Sequence, residues 1–100
     1  MSNTIAPENW IYVLVEVTAN SEQIIGRHDT ERNIRFIPIF TDRDSAQLGA
    51  VRLAIENKFE IQAMLFEDLL QYASANHSLI FVMNQQGAIQ TKMTPDGKVL

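Results

Sequence analysis

The chain has 100 residues, of which 46% are hydrophobic and 20% are charged, and its formal net charge is −4 at pH 7. This length and composition indicate one globular domain rather than a disordered chain. The acidic balance argues against nucleic-acid binding, which depends on clustered Lys and Arg, and against docking on an anionic membrane. The sequence contains no cysteine, which excludes disulfides and thiolate metal sites.

The N-terminal residues and the apolar runs bear on location. Met1–Trp10 lacks a basic region followed by an apolar one, so we predict no secretory signal. The apolar runs, such as Ile11–Val15, are all far shorter than the roughly 20 residues that cross a bilayer. Together with the missing cysteines, these features predict a cytoplasmic protein.

Residues 10–17 are β-branched or aromatic almost throughout, which predicts a first strand. Apolar side chains occupy both alternating sets of positions for most of its length. This pattern indicates a strand inside the sheet or beneath a helix. Trp10 and Tyr12 are therefore expected in the core.

Residues 18–33 break the strand pattern and form an arm that begins with a turn signal. Arg27 and Arg32 lie in it, and Arg35 follows closely. Acidic residues between the arginines nearly offset their charge, which favours a solvated hairpin arm. The alternative interpretation is an anion or partner site formed by the three arginines.

Residues 34–40 predict the next strand, and Pro38 within it has no N–H to donate to a neighbouring strand. This favours an edge strand or a bulge at Pro38. Thr41 is predicted as the N-cap of the following helix, with Asp42 and Asp44 at the positive end of the helix dipole. Capping explains these carboxylates without a metal ion.

Apolar residues at helical spacing predict a helix over 42–57, with Asn57 near its C-terminus, and clean alternation predicts a strand over 59–64. Two strands joined by such a helix form a βαβ unit with parallel strands and a right-handed crossover. Gly49, inside the helix beside small alanines, is expected to let the helix approach the sheet closely.

The rest of the chain predicts one more helix and a set of short strands. These are a helix over 66–75, a strand over 79–83, a turn at Gln86-Gly87, a strand over 88–93, a turn at 94–97 and a short final strand over 98–100.

No cluster of residues specifies a chemistry. His28 and His77 are far apart in the sequence and are expected to be surface groups rather than metal ligands. The glycines stand alone, so no phosphate-binding loop is predicted, and no nucleophile elbow occurs. We therefore predict no catalytic, cofactor-binding or metal-binding residues and no cofactor.

Three segments form an ordered set in the middle and last parts of the chain. They are Ile37-Pro38-Ile39-Phe40-Thr41 before a helix, the strand Phe59–Met64, and Leu79–Asn84 followed by a turn with Gly87. This set resembles the N-terminal domain of the bacterial SseB (enhanced serine sensitivity) family over residues 34–90. The arm at 18–33 matches nothing in that family, and the family's second domain has no counterpart here. The resemblance implies an α+β domain with no established catalytic activity, and it assigns a function to no residue.

We predict a single α+β domain over residues 1–100, with a mixed sheet of about five strands and two helices packed on one face. The predicted function is a non-enzymatic protein-interaction or regulatory module, in which an exposed strand edge pairs with a partner or a second copy. Its candidate partner surface is Arg27, Arg32, Arg35 and Pro38. The alternative is a sensor of a small molecule such as an amino acid, or a minor enzyme, with a pocket between the 45–57 helix and the sheet.

Overall fold

Seven strands and two helices make up the computed structural model, which describes residues 5–56 and 58–100. In chain order they are β1 (Trp10–Val17), β2 (Glu22–Ile24), β3 (Arg27–Asp29), β4 (Ile34–Phe40), α1 (Arg43–Arg52), β5 (Phe59–Leu65), α2 (Phe66–Ala75), β6 (Leu79–Met83) and β7 (Ile89–Met93). The predicted α+β class and mixed sheet are confirmed. The sheet has seven described strands rather than about five, because the arm contributes β2 and β3.

The sheet runs in the spatial order β5-β1-β4-β6-β7. β4 is parallel to β6, and the other neighbours in this order are antiparallel. β1 and β4 pair directly only at Tyr12–Phe40 and Val13–Ile39. Beyond that point β2 pairs with the end of β1 and β3 with the start of β4. The arm therefore fills the gap where β1 and β4 diverge, and it is less detached than a solvated hairpin.

The predicted βαβ unit is present in a split form. β4 and β5 are both antiparallel to β1, so they point the same way, as expected for strands joined by one helix. β1 lies between them, however, and they are not neighbours. The crossover helix α1 packs over β1 and contacts the strands on both sides of it.

The two helices cover opposite faces of the sheet, whereas a single covered face was expected. The β1 side chains Ile11, Val13 and Val15 pack in one core with α2. The intervening Leu14 packs in a second core with α1. Because successive side chains of a strand point to opposite faces and both sets are apolar here, the central strands need cover on both sides.

Helix α1 begins and ends differently from the prediction. Its N-cap is Asp42 rather than Thr41, because Asp42 Oδ1 accepts the backbone N–H of Ser45 at 2.8 Å and Oδ2 accepts the Ser45 hydroxyl at 2.9 Å. The helix ends at Arg52, and the left-handed backbone of Ala54 (φ 55°) turns the chain away. Asn57, the predicted C-terminus, lies outside the described residues.

Pro38 lies in a central strand, at neither an edge nor a bulge. On one side β4 pairs with β6, where Pro38 is opposite Phe81. On the other side β3 pairs with residues 34–36 and β1 with residues 39–40. Ile37 and Pro38 thus fall at the junction and have no strand partner on that side among the described residues. The missing N–H is tolerated because the ladder is already interrupted there.

Candidate functional site

The structure separates the predicted partner surface into three exposed arginines and a buried proline. Arg27 lies on β3, Arg32 in the following turn and Arg35 on β4, and all three side chains are exposed. Pro38 is fully buried. It therefore presents no surface to a partner. Arg27 lies opposite Phe36, the neighbour of Arg35 on β4, so the Arg27 and Arg35 side chains point to opposite faces of the sheet and do not form one cluster.

The arm also gathers both histidines around one shallow surface depression. His28 lies directly opposite Arg35 across the β3–β4 pair. His77 follows α2 and lines the same depression of about 490 Å³. Positive charge is favoured there because the carbonyl end of α2 is the negative end of its dipole. Within the described residues, no three His, Asp or Glu side chains are placed to hold a metal ion.

A second surface cavity, of about 520 Å³, lies at the carboxyl ends of the parallel strands β4 and β6. Trp10, predicted to be core, lines this cavity and is 60% exposed. Tyr12 is half-buried, with the Arg43 guanidinium 5.8 Å from its ring centre. Thr41, just after β4, faces the cavity with other uncharged polar residues. Crevices beyond the carboxyl ends of parallel strands commonly bind ligands.

One edge of the sheet, the outer edge of β7, is covered at its last two residues by the end of the chain. Val99 forms an antiparallel bridge with Met93, and Leu100 N–H donates to Lys92 C=O at 2.9 Å. The turn before it is held by the Thr94 hydroxyl, which donates to the Asp96 carboxylate. That hydrogen bond lowers the pKa of Asp96 from its ordinary value.

The opposite edge, the outer side of β5, has no strand beside it among residues 5–56 and 58–100. All seven residues of β5 pair with β1 on the inner side. No other described strand pairs with β5. A long, unpaired strand edge presents free N–H and C=O groups that accept an additional strand.

Two hydrogen bonds, one made by a residue inside β1 and one by the residue just before it, show which backbone groups of β1 point towards β5. The C=O of Leu14 accepts Ile25 N–H at 2.8 Å and therefore points to the β2 side. The C=O of Asn9 accepts Phe66 N–H at 2.9 Å and therefore points to the β5 side. Because the N–H and C=O of one residue point the same way and alternate along an antiparallel strand, the odd-numbered residues of β1 are bonded to β5.

The register of the β1–β5 pair then identifies the open groups. Odd-numbered β1 residues lie opposite even-numbered β5 residues, as in the pair Val13–Gln62. The N–H and C=O groups of Phe59, Ile61 and Ala63 consequently point outward, to the open edge. Sequence reasoning had expected an exposed edge but had placed it near Pro38. Which backbone groups of β5 point outward, and where β5 lies in the sheet, both depend on pairing between segments that are distant in the sequence.

Comparison with known proteins finds no matching family model, no matching curated protein and no matching solved structure. The resemblance to the SseB family therefore stays a prediction. None of the described helices is long and apolar enough to cross a membrane.

Proposed function

We propose that this chain is a non-enzymatic protein-interaction module that binds its partner by strand addition along β5. The observation that supports this function is the asymmetry of the sheet. The β7 edge is covered at Lys92 and Met93 by the end of the chain, whereas the seven-residue β5 edge has no described strand beside it at any position. Strand addition uses main-chain hydrogen bonds for affinity and alternate side chains for specificity.

The β5 edge offers both main-chain hydrogen-bonding groups and alternate side chains to a partner strand. Phe59, Ile61 and Ala63 supply outward N–H and C=O groups for a partner strand. The side chains of Ile61 and Met64 are half-buried, on opposite faces of the sheet, and extend the two apolar cores towards this edge. A partner strand with apolar residues at alternate positions would complete these cores. The arginine arm lies on the other side of β1 and is not part of this edge.

Replacing Ala63 by proline tests the edge with little disturbance of the fold. Ala63 is exposed, and its N–H points outward, so proline removes a donor to the partner but none to β1. The matched control is Ala63→Val, which keeps the N–H and favours a strand. We expect wild type and Ala63→Val to capture the same proteins from native lysate, and Ala63→Pro to lose them.

Amide hydrogen exchange locates the contact. Captured partner should slow exchange at Ile61 and Ala63, which lack a β1 acceptor, more than at Gln62, which is bonded to β1 in the free chain. If Ala63→Pro captures the same proteins as wild type, or if bound partner protects other regions and leaves Ile61 unchanged, strand addition at β5 is wrong.

A second candidate function is binding of a small molecule in the Trp10 cavity. The observation that favours it is an exposed tryptophan beside Thr41, Gln90 and Thr91 at the carboxyl ends of β4 and β6. The cavity shares Ile11 and Val82 with the α2 core, so it lies away from α1, where a pocket was expected. None of its described lining residues is charged, which favours an uncharged polar ligand such as a saccharide over an amino acid.

Trp10 is the only tryptophan in the chain and reports directly on this cavity. We expect saturable changes in its fluorescence on titration with a panel of uncharged saccharides, together with a rise in melting temperature. Gln90→Ala should weaken the binding, whereas Gln47→Ala, on exposed α1, should not. Equal responses of both variants, or no saturable response to any saccharide, would contradict this function.

A further inference from the structure

We propose that the strand added at β5 belongs to a second copy of this chain, paired antiparallel about a two-fold axis at Gln62. This inference rests on the proposed function, because it names the occupant of the same edge. It follows from which β5 residues point their N–H and C=O groups outward, from the length of the strand and from the order of its side chains.

The alternation of outward-pointing N–H and C=O groups along β5 is compatible with a two-fold axis at Gln62. Gln62 is the midpoint of Phe59–Leu65, so an axis there aligns all seven residues of one β5 with all seven of the other. Ile61 then lies opposite Ala63 of the second copy, and Ala63 opposite its Ile61. These are the residues whose N–H and C=O groups point outward, so each pair exchanges two hydrogen bonds.

The side chains along β5 are compatible with this register. Glu60 is the only charged residue in the strand, and it would face Met64 of the second copy. An axis at Glu60 would instead place two carboxylates directly opposite each other, which is destabilising. At the axis the two Gln62 amides meet. Each NH2 group donates to Glu60 of its own strand at 3.5 Å, which leaves its second hydrogen and its carbonyl oxygen for the other amide.

Under this symmetry, side chains that lie opposite each other in the two copies point to the same face of the joined sheet. Phe59 would lie opposite Leu65 of the second copy, on the face that α1 covers, and the half-buried Ile61 would meet Ala63 there. The apolar cores of the two copies would then continue across the interface. Burial on pairing removes apolar surface from water, which adds to the main-chain hydrogen bonds.

Because the chain has no cysteine, single cysteines report the register without background. At the axis, Gln62 and Gln62 of the second copy form a non-hydrogen-bonded pair with Cα atoms about 4.5 Å apart, within disulfide range. We expect Gln62→Cys to oxidise to a disulfide-linked dimer. Glu60→Cys alone should stay monomeric on a denaturing gel, since the two positions would be about 13 Å apart, four residues along the strand.

Mixing two cysteine variants that do not cross-link alone provides a positive control for the register. Glu60→Cys and Met64→Cys, each monomeric alone, should form a mixed disulfide when combined, because residues 60 and 64 face each other across the axis. Equal cross-linking of Gln62→Cys and Glu60→Cys would show random encounter and overturn the proposed register. Circular dichroism of each reduced variant confirms that it is folded.

Sedimentation velocity of the unmodified chain completes the test. We expect a monomer–dimer equilibrium between low micromolar and near-millimolar concentration, in the range of small, transient interfaces, that is lost in Ala63→Pro and kept in Ala63→Val. A chain that stays monomeric at all concentrations overturns self-association. If such a chain still captures partners in a manner that Ala63→Pro abolishes, the proposed function stands with a different occupant.

Discussion

Replacing Leu14 by alanine is expected to lower the free energy of unfolding by about 2–5 kcal/mol, the range for buried leucines. Leu14 is 0% exposed, and it packs with Phe40 and Phe81 in the core beneath α1. Alanine would leave a cavity that the neighbouring strands fill only in part. Denaturant unfolding measures the change, and an unchanged m-value shows that the compactness of both states is preserved.

Leu48→Ala is the matched control, because it makes the same substitution at a residue that is 51% exposed on α1. We expect a change within about 0.5 kcal/mol, as for most surface substitutions. Comparable losses in the two variants would contradict the placement of Leu14 in the core and of Leu48 on the surface.

The element boundaries were largely predictable, because short-range patterns determine them. β1, β4, α2 and β6 begin and end where alternation, helical spacing and turn residues had placed them. Gly49 was also interpreted correctly as a point of close approach. In each instance the determining information lies within a few neighbouring residues.

The arrangement of the elements was less predictable, because it depends on pairing between distant segments. Pro38 is typical of an edge strand, yet it occupies a central one, at a junction that β1 and β3 create from the other side of β4. Trp10 is a large aromatic residue of the kind that is usually buried, yet it is the first residue of β1 and is 60% exposed. Neither outcome is visible in local sequence.

The candidate site shows the same division. An exposed strand edge was expected, and the strand that forms it, β5, was predicted almost to the residue. Its position at the edge follows only from its pairing with β1 on one side and with no described strand on the other. That the N–H and C=O groups of Ile61 and Ala63 point outward follows only from the hydrogen bonds that Leu14 and Asn9 accept. Sequence patterns define strands, and non-local hydrogen bonds decide which edges are available.

Gly26→Ala and Gly49→Ala form a pair of matched substitutions with opposite expected results. At Gly26 a Cβ would meet only the carbonyl oxygen of Phe36, at an ordinary 3.5 Å. We therefore expect Gly26→Ala to leave stability unchanged or to raise it by up to about 1 kcal/mol, since alanine restricts the unfolded chain.

Gly49→Ala is expected to lower the free energy of unfolding by about 1–3 kcal/mol, as for overpacked cores, despite a helix-propensity gain of about 1 kcal/mol. Its Cβ would press against the buried ring of Phe40 and lie 2.9 Å from the carbonyl oxygen of Asn84. That oxygen accepts the N–H of Gly87 at 3.0 Å, so it cannot retreat without breaking the β6–β7 turn. Thermal and denaturant unfolding of both variants measure the difference. If Gly49→Ala is as stable as Gly26→Ala, α1 does not approach the sheet as closely as the structure shows.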